Sequence, residues 1–508
     1  MTGTINRGIL RLGPDDDIAE IPEEHQAIVI GSGFGGSIAA LRLGEAGVQT
    51  LVLERGKAWS YDPEEVVFGS ELRLRDDMFW NNDFAVWLTM SPTLINRVPG
   101  IIEVVQAGGV QIAAAACVGG GSVVYAGVTV APPRRYYEAL FPAGIPYDEL
   151  NRVYFPRVRH MLSASTLPED LYRTDPFTHS RAFDEQCAAA GFPTKPVATT
   201  FNWSKVRGEL AGRLRPSAII GESSFGNSNG AKNDLTQNYL PAAVATGNVT
   251  ISPLTEVTAI ERGPHGRGYA VRVRRLADDG TVLGTRELLC EKLFLAAGSV
   301  NTTRLLVAAR DSGALPDLSE HVGTCWGSNG DAFVYRTFAG PTGLTQAAPC
   351  ASTVFIEEGF GMPIRVENWY SMAFNGTPYM NQLSVAVDMD NRGTWTYDRA
   401  TGKVAMRDWG PEKNAPSEAA ANGFVQLLME KGLAGPSPVL SPMGGTAHPL
   451  GGCPIGKATD LYGRVNGYDG LYAVDSSLIP GNAGGANPSL LIAALAERAM
   501  DEIIAAKG

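Results

Sequence analysis

The chain has 508 residues, a formal net charge of −11, and 44% hydrophobic and 19% charged residues. That length supports two or three domains around a large core. The acidic balance argues against a nucleic-acid partner, whose phosphates are held by Lys and Arg. No window approaches the roughly eighteen consecutive apolar residues of a membrane span. Residues 1–24 carry Asp15-Asp16-Asp17 and no apolar run of a secretory signal. This points to the cytoplasm, or to secretion where a signal has been removed.

The first recognisable unit is Ala27-Ile28-Val29-Ile30 followed by Gly31-Ser32-Gly33-Phe34-Gly35-Gly36 and Ser37-Ile38-Ala39-Ala40-Leu41. The β-branched run reads as a buried parallel strand. Gly31, Gly33 and Gly36 fill the G-x-G-x-x-G pattern and open a helix, giving a tight turn, close backbone approach to a pyrophosphate, and tight helix–strand packing. The helix N-terminus offers unpaired N–H groups and the positive end of its dipole. A second strand, Thr50-Leu51-Val52-Leu53, ends at Glu54, where an acidic residue can accept from ribose hydroxyls. These features together indicate a dinucleotide site.

Residues 61–100, with Trp59 just before them and Phe79, Trp80 and Trp87 among them, lack a clear period and read as a loop-rich excursion. A second glycine turn, Val118-Gly119-Gly120-Gly121-Ser122, suits backbone running tightly against a flat cofactor. Helical stretches follow at Tyr147 to Leu162 and Arg181 to Ala190. From Asn248 the pattern is β-rich, through Val249-Thr250-Ile251, Val257 to Ile260 and Tyr269 to Val273. The turn Asp278-Asp279-Gly280 then predicts a hairpin or meander. Glu291 to Leu295 reads as a buried strand ending at Gly298, before a helix over Asn301 to Arg310. Residues 331–435 are β-rich again, with Arg392-Gly393 between two apolar runs and a helix from Ala415 to Lys431. The C-terminal part gives a strand, Leu471 to Val474, a glycine-rich turn and a helix, Pro488 to Ala505.

The organisation is interleaved: pieces of a nucleotide domain at the start, middle and end alternate with pieces of a second domain. A ligand is expected between two such domains. The six cysteines are scattered without a C-x-x-C pair and read as buried free thiols, so no structural metal is expected. Of the six histidines, His448 stands apart, in Gly444-Gly445-Thr446-Ala447-His448-Pro449-Leu450-Gly451-Gly452. Pro449 holds its backbone extended and the glycines clear space around it, an environment for presenting an imidazole to a ligand. Spacing alone leaves a structural role equally open.

These motifs, with Phe294 to Ser299, Gly456-Lys457-Ala458-Thr459-Asp460, Asp475 to Pro480 and Asn487-Pro488, together resemble the glucose-methanol-choline flavin oxidoreductases. Within that family the chain is most similar to the non-covalent bacterial cholesterol oxidases. The resemblance covers most of the chain and is loosest at 61–100 and 333–375. It implies an α/β fold: a Rossmann-like FAD-binding domain (20–60, 101–132, 225–330 and 440–508) interleaved with an α+β substrate domain on a mainly antiparallel sheet (61–100, 133–224 and 331–439).

The resemblance further implies non-covalent FAD. Gly31 to Gly36 would lie on the pyrophosphate, Glu54 on the adenosine ribose, and the backbone of Val257 at the adenine. Gly119 to Gly121 would pass beside the flavin, Asp475 would lie near the ribityl or pyrophosphate end, and Asn487-Pro488 beside the isoalloxazine, with Gly120, Ser122 and Gly298 also among the cofactor-binding residues. His448 and Asn487 would face the carbinol of a cholesterol-like sterol or another hydrophobic alcohol, with O2 (giving H2O2) or another electron acceptor. Transient contact with a membrane surface is compatible with such a substrate.

A glutamate of those oxidases moves a proton from C4 to C6, converting a Δ5 to a Δ4 ketone. Aligned from Val354-Phe355 it is Glu357; aligned from Met362-Pro363 it is Glu358. Glu357 is favoured. Tyr125 replaces the usual Asn of the pocket and bears on the choice of substrate. An alcohol oxidase or dehydrogenase of a non-steroid substrate, or an isomerase-only relative, are the alternatives.

Overall fold

The computed structural model describes residues 18, 21–69, 75, 77–80, 98–337, 346–369, 379–435 and 445–506. Trp87 and the greater part of 70–97 lie outside them. The first strand, Glu24–Ile30, has its last four residues buried, and strand Thr50–Leu53 is buried throughout. Both pair in parallel, with Val249–Ser252 on the outer side of the second. Full burial on both faces is why these strands read as unbroken apolar runs.

The fourteen-residue strand Val282–Leu295 serves two purposes. Its last part pairs in parallel with Glu24–Ile30 and with Leu471–Ala473, while its first part pairs antiparallel with Tyr269–Leu276, which in turn pairs with Thr255–Arg262. The sequence pattern predicts only Glu291 to Leu295 in this strand. The preceding residues alternate at the surface of a hairpin, where no apolar run marks them. Helices Phe34–Glu45 and Ser489–Ala505 pack against each other. The strand ends at Ile30, Leu53, Leu295 and Ala473 lead directly into the cavity-lining segments, in line with ligand binding at the carboxyl edge of an α/β sheet.

A second, five-stranded antiparallel sheet has the order Asp331–Thr337, Tyr379–Ala386, Ile364–Trp369, Ser352–Ile356, Lys195–Pro196. Its two faces differ. Ala332 and Val334 pack with Ala421 and Val425 of the helix Pro411–Glu430, whereas Phe333, Leu383 and Val385 pack toward Ala113, Trp369 and Ala447. Since side chains alternate along a strand, Arg365, Glu367 and Trp369 share one face, the one on which Trp369 meets Phe333.

Three local readings change. Tyr147 to Leu162 is interrupted by a π-helical turn, Leu150–Tyr154, just before Pro156, which has no N–H to give the preceding turn. The helix expected from Ala415 begins at Pro411, a residue suited to a first helical turn. The strand before Arg392-Gly393 does not pair with the one after it; Trp395–Asp398 forms its own hairpin with Lys403–Met406. All six cysteines are free, and five are buried.

Candidate active site

A cavity of about 920 Å³ runs from Val257 and Thr258, past both glycine turns, to His448 and Asn487. At the first turn Gly31 has φ +98°, which side-chain-bearing residues rarely adopt. Gly35 packs so closely that a Cβ there would come 1.9 Å from the carbonyl oxygen of Val474. The first helix therefore lies directly on the segment that leads to Asp475. Its N-terminus has no side-chain cap, which leaves first-turn N–H groups available to an anion.

Glu54 lines the cavity and is buried. Its carboxylate accepts from the N–H of Ser32 (3.1 Å), the Ser32 hydroxyl (2.8 Å) and the N–H of Gly56 (3.0 Å). Burial lifts its pKa above the ordinary carboxylate value, against the pull of these donors. Asp475 accepts from the N–H groups of Gly298 and Ser477, each at 2.8 Å, and so joins the turn at Gly298, after strand Val282–Leu295, to the segment after strand Leu471–Ala473.

The second glycine turn touches the first: a Cβ on Gly120 would lie 2.7 Å from the Gly33 Cα. Gly120 and Gly121 line the cavity, while Gly36, Gly119 and Ser122 stand behind that lining. The Ser122 hydroxyl donates to the Gly119 carbonyl (2.7 Å) and holds the turn. Lys232 lies behind the same segment, its ammonium donating to the carbonyls of Val123, Tyr125 and Ser223 at 2.7–2.8 Å. Burial pushes its pKa down to about 7. Tyr125 lines the cavity edge-on to Phe34, with its hydroxyl 2.8 Å from the Thr200 hydroxyl and its pKa raised by burial.

His448, Pro449, Asn487 and Pro488 line the far end of the cavity with Phe333 and Trp369. The His448 Nδ1 lies 2.9 Å from the carboxylate of Asp331, which is fully buried. Burial disfavours the imidazolium, but the charge and hydrogen bond of Asp331, helped by Glu367, outweigh it and raise the pKa of His448. Asn487 donates its amide to Glu367 at 3.1 Å, and the indole of Trp369 donates to the same carboxylate at 3.1 Å. Glu367 is wholly buried and has one oxygen without a partner among the described residues; burial raises its pKa despite Arg365, Trp369 and Asn487.

Glu357 and Glu358 are not part of this cluster. Both follow the end of strand Ser352–Ile356 and are exposed. Glu357 pairs with Arg135 and accepts from the Tyr136 hydroxyl at 2.8 Å. Neither side chain lines the cavity, and both stand in the exposed loop after the strand. The buried carboxylate near Asn487 is Glu367, on the neighbouring strand. Sequence patterning singles out neither Glu367 nor Asp331. The one signal for Glu367 is the run Ile364-Arg365-Val366-Glu367-Asn368-Trp369, in which charged residues sit among strand-forming ones.

The residues fit an FAD. A buried carboxylate stands at the first strand–helix turn, an uncapped helix N-terminus faces the same trench, and the side-chain oxygen of Asn487 is buried with no partner among the described residues. Glu54 would hold the ribose and the turn Gly31 to Gly35 the pyrophosphate, while Gly120, Gly121, Asn487 and Pro488 would border the flavin.

Residues 26–323 and 438–496 match the N-terminal and C-terminal family models of the GMC oxidoreductases. A protein named cholesterol oxidase from Mycobacterium tuberculosis is 29% identical over 94% of this chain and 90% of its own length. Another, from Acinetobacter baumannii, is 24% identical over 94% of each. Among solved structures, pyridoxine 4-oxidase from Mesorbium loti superposes with a TM-score of 0.64 at 16% identity, over 94% of this chain and 99% of the other. A fungal aryl-alcohol oxidase gives 0.65 at 14% identity, over 96% of this chain and 100% of the other, so the shared feature there is the fold. With the family matches spanning more than half of its length, this chain belongs to the GMC oxidoreductase family.

Proposed function

We propose that the protein is an FAD-dependent oxidase of a 3β-hydroxysteroid or related polycyclic secondary alcohol, with O2 as acceptor and the flavin held without a covalent bond. The observation that carries this reading is the presence of His448 and Asn487 on one cavity with Phe333 and Trp369, each polar group backed by a buried carboxylate. The two relatives named cholesterol oxidase support a sterol as the substrate class.

FAD, when bound, supplies the hydride-accepting chemistry. The chain's own task is to orient the carbinol and take its proton. His448 accepts the hydroxyl proton, and the second amide N–H of Asn487, the one not given to Glu367, donates to the carbinol oxygen. Phe333 and Trp369 offer apolar surface to the ring system and exclude water.

Moving a double bond from C5 to C4 needs a further base in desolvated surroundings. Glu367 meets that requirement through its burial and its unpartnered oxygen, and exposed Glu357 does not. A second reading, oxidation of a smaller non-steroid alcohol without isomerisation, draws support from Tyr125, whose ring occupies cavity wall beside Phe34.

Anaerobic flavin bleaching against 3β-hydroxysteroids, terpenoid alcohols and aryl alcohols separates the two. Rapid bleaching by the steroids supports the first reading. Bleaching by small alcohols alone supports the second.

A further inference from the structure

Asp331 begins the edge strand of the second sheet and is completely buried, yet it carries three contacts toward one short segment. One oxygen faces His448 Nδ1 at 2.9 Å. The other accepts from the N–H of Ala447 (3.1 Å) and lies 2.9 Å from the Thr446 hydroxyl. The Thr446 hydroxyl in turn accepts from the N–H of His448 at 2.9 Å. The two residues that lead into His448 are thus tied to the same carboxylate that holds its ring.

An ionised carboxylate can only accept hydrogen bonds, and a neutral imidazole has one N–H and one lone pair. The nitrogen facing Asp331 must therefore carry the hydrogen. The other, Nε2, has no hydrogen-bond partner among the described residues, and His448 lines the cavity.

We propose that Asp331 is a positioning residue for the oxidation: it fixes His448 as the Nδ1–H tautomer, turns the Nε2 lone pair to the substrate, and offsets the charge of the imidazolium formed there. The proton balance is simple: the substrate O–H bond breaks, its proton joins Nε2, and Nδ1 keeps its own. Asp331 itself gains no proton. The other charged group acting on the ring is Glu367, on strand Ile364–Trp369, which adds to the same effect. Phe333 and Trp369 complete that end of the cavity without charge. The proposal deepens the alcohol-oxidase reading and rests on it for the identity of the reaction.

The test uses the FAD-loaded enzyme with 15N-labelled histidine, the His448 signal being assigned by its loss in His448→Gln. In the wild type, the ring should show the Nδ1–H tautomer and titrate above the ordinary histidine value. Asp331→Asn keeps the shape but removes the charge. It should lower the His448 pKa by about one unit or more, the scale of one lost charged neighbour. Anaerobic flavin reduction by dehydroepiandrosterone, a 3β-hydroxysteroid probe, should slow by about 10-fold or more, and its pH limb should move to lower pH.

A His448 pKa and tautomer unchanged in Asp331→Asn at full FAD content would overturn the proposal. So would a wild-type ring protonated on Nε2, which decides the matter even where the variant loses FAD. If the steroid fails to reduce the wild-type flavin, the steroid reading falls, and the histidine titration still judges Asp331.

Discussion

Asn487 donates its side-chain amide to the wholly buried carboxylate of Glu367 across 3.1 Å, and its amide oxygen is buried without a partner among the described residues. An amide held this way has a set polarity, because a carboxylate can accept but not donate. Its free oxygen is then available to a ligand group. The carboxylate that orients Asn487 is also the one proposed above as the base that moves a second proton.

Glu367→Gln therefore tests the isomerase half of the proposal. Glutamine preserves the hydrogen bond to Asn487 but is no base. Flavin reduction by a 5-ene sterol should fall less than about 10-fold, while the unconjugated ketone accumulates in place of the conjugated enone. Glu357→Gln and Glu358→Gln should leave both rate and product unchanged. Product analysis by ultraviolet absorbance and chromatography reads the outcome, and unchanged conjugated product in Glu367→Gln would remove Glu367 from this role.

The proposed roles of His448 and Asn487 give a second prediction. His448→Ala should slow anaerobic flavin reduction by about 10²-fold or more, the usual scale for a lost acid–base group. Asn487→Leu should do the same and also lower stability by about 1–3 kcal/mol, since it strips a buried carboxylate of a donor. Stopped-flow reduction and thermal melts of the FAD-loaded variants check the two effects separately.

Glu54→Gln should weaken FAD binding by about 1.5–3 kcal/mol, the net contribution of hydrogen bonds to a charged group. Isothermal titration of the apoprotein with FAD measures it directly. The neutral amide can still accept from Ser32 or Gly56, so the fold should survive the change.

Two glycines near the same helix should respond differently to alanine. In Gly35→Ala the new methyl carbon would meet the Val474 carbonyl at 1.9 Å, backbone against backbone with no flexible side chain to give way. Loss of FAD retention, or more than about 3 kcal/mol of stability, is expected. Gly47 has φ +74°, and a methyl carbon added there would meet nothing within 4 Å. Gly47→Ala should therefore cost only the strain of its backbone, about 1–2 kcal/mol. Chemical denaturation of both variants gives the comparison.

The flavin should leave with denaturant. No histidine occurs between Ile101 and Val130. Cys117 is fully buried outside the cavity lining, with its thiol pKa pushed far up by burial. Acid precipitation should release the yellow colour to the supernatant; colour retained in the pellet would demonstrate a covalent link.

Local sequence determined the nucleotide half of this protein. Ile28 to Gly36, Leu51 to Glu54 and Phe294 to Gly298 are contiguous runs whose apolar pattern, turn glycines and acidic end residue act over a few positions, so their spacing carries the chemistry. His448 and Asn487 were legible for a related reason, each lying in a short Gly- and Pro-bearing segment. What surrounds them was decided by tertiary structure. Asp331 lies 117 positions from His448 and Glu367 lies 120 positions from Asn487, and only the packing of one sheet against the ends of another brings them together. Which glutamate is buried beside Asn487 was likewise decided by where one strand stops: Glu357, after Ile356, turns to Arg135 and solvent, whereas Glu367 within Ile364–Trp369 is buried against Asn487. A strand's end and the face its side chains take depend on the neighbours it pairs with, and those neighbours are distant in the chain.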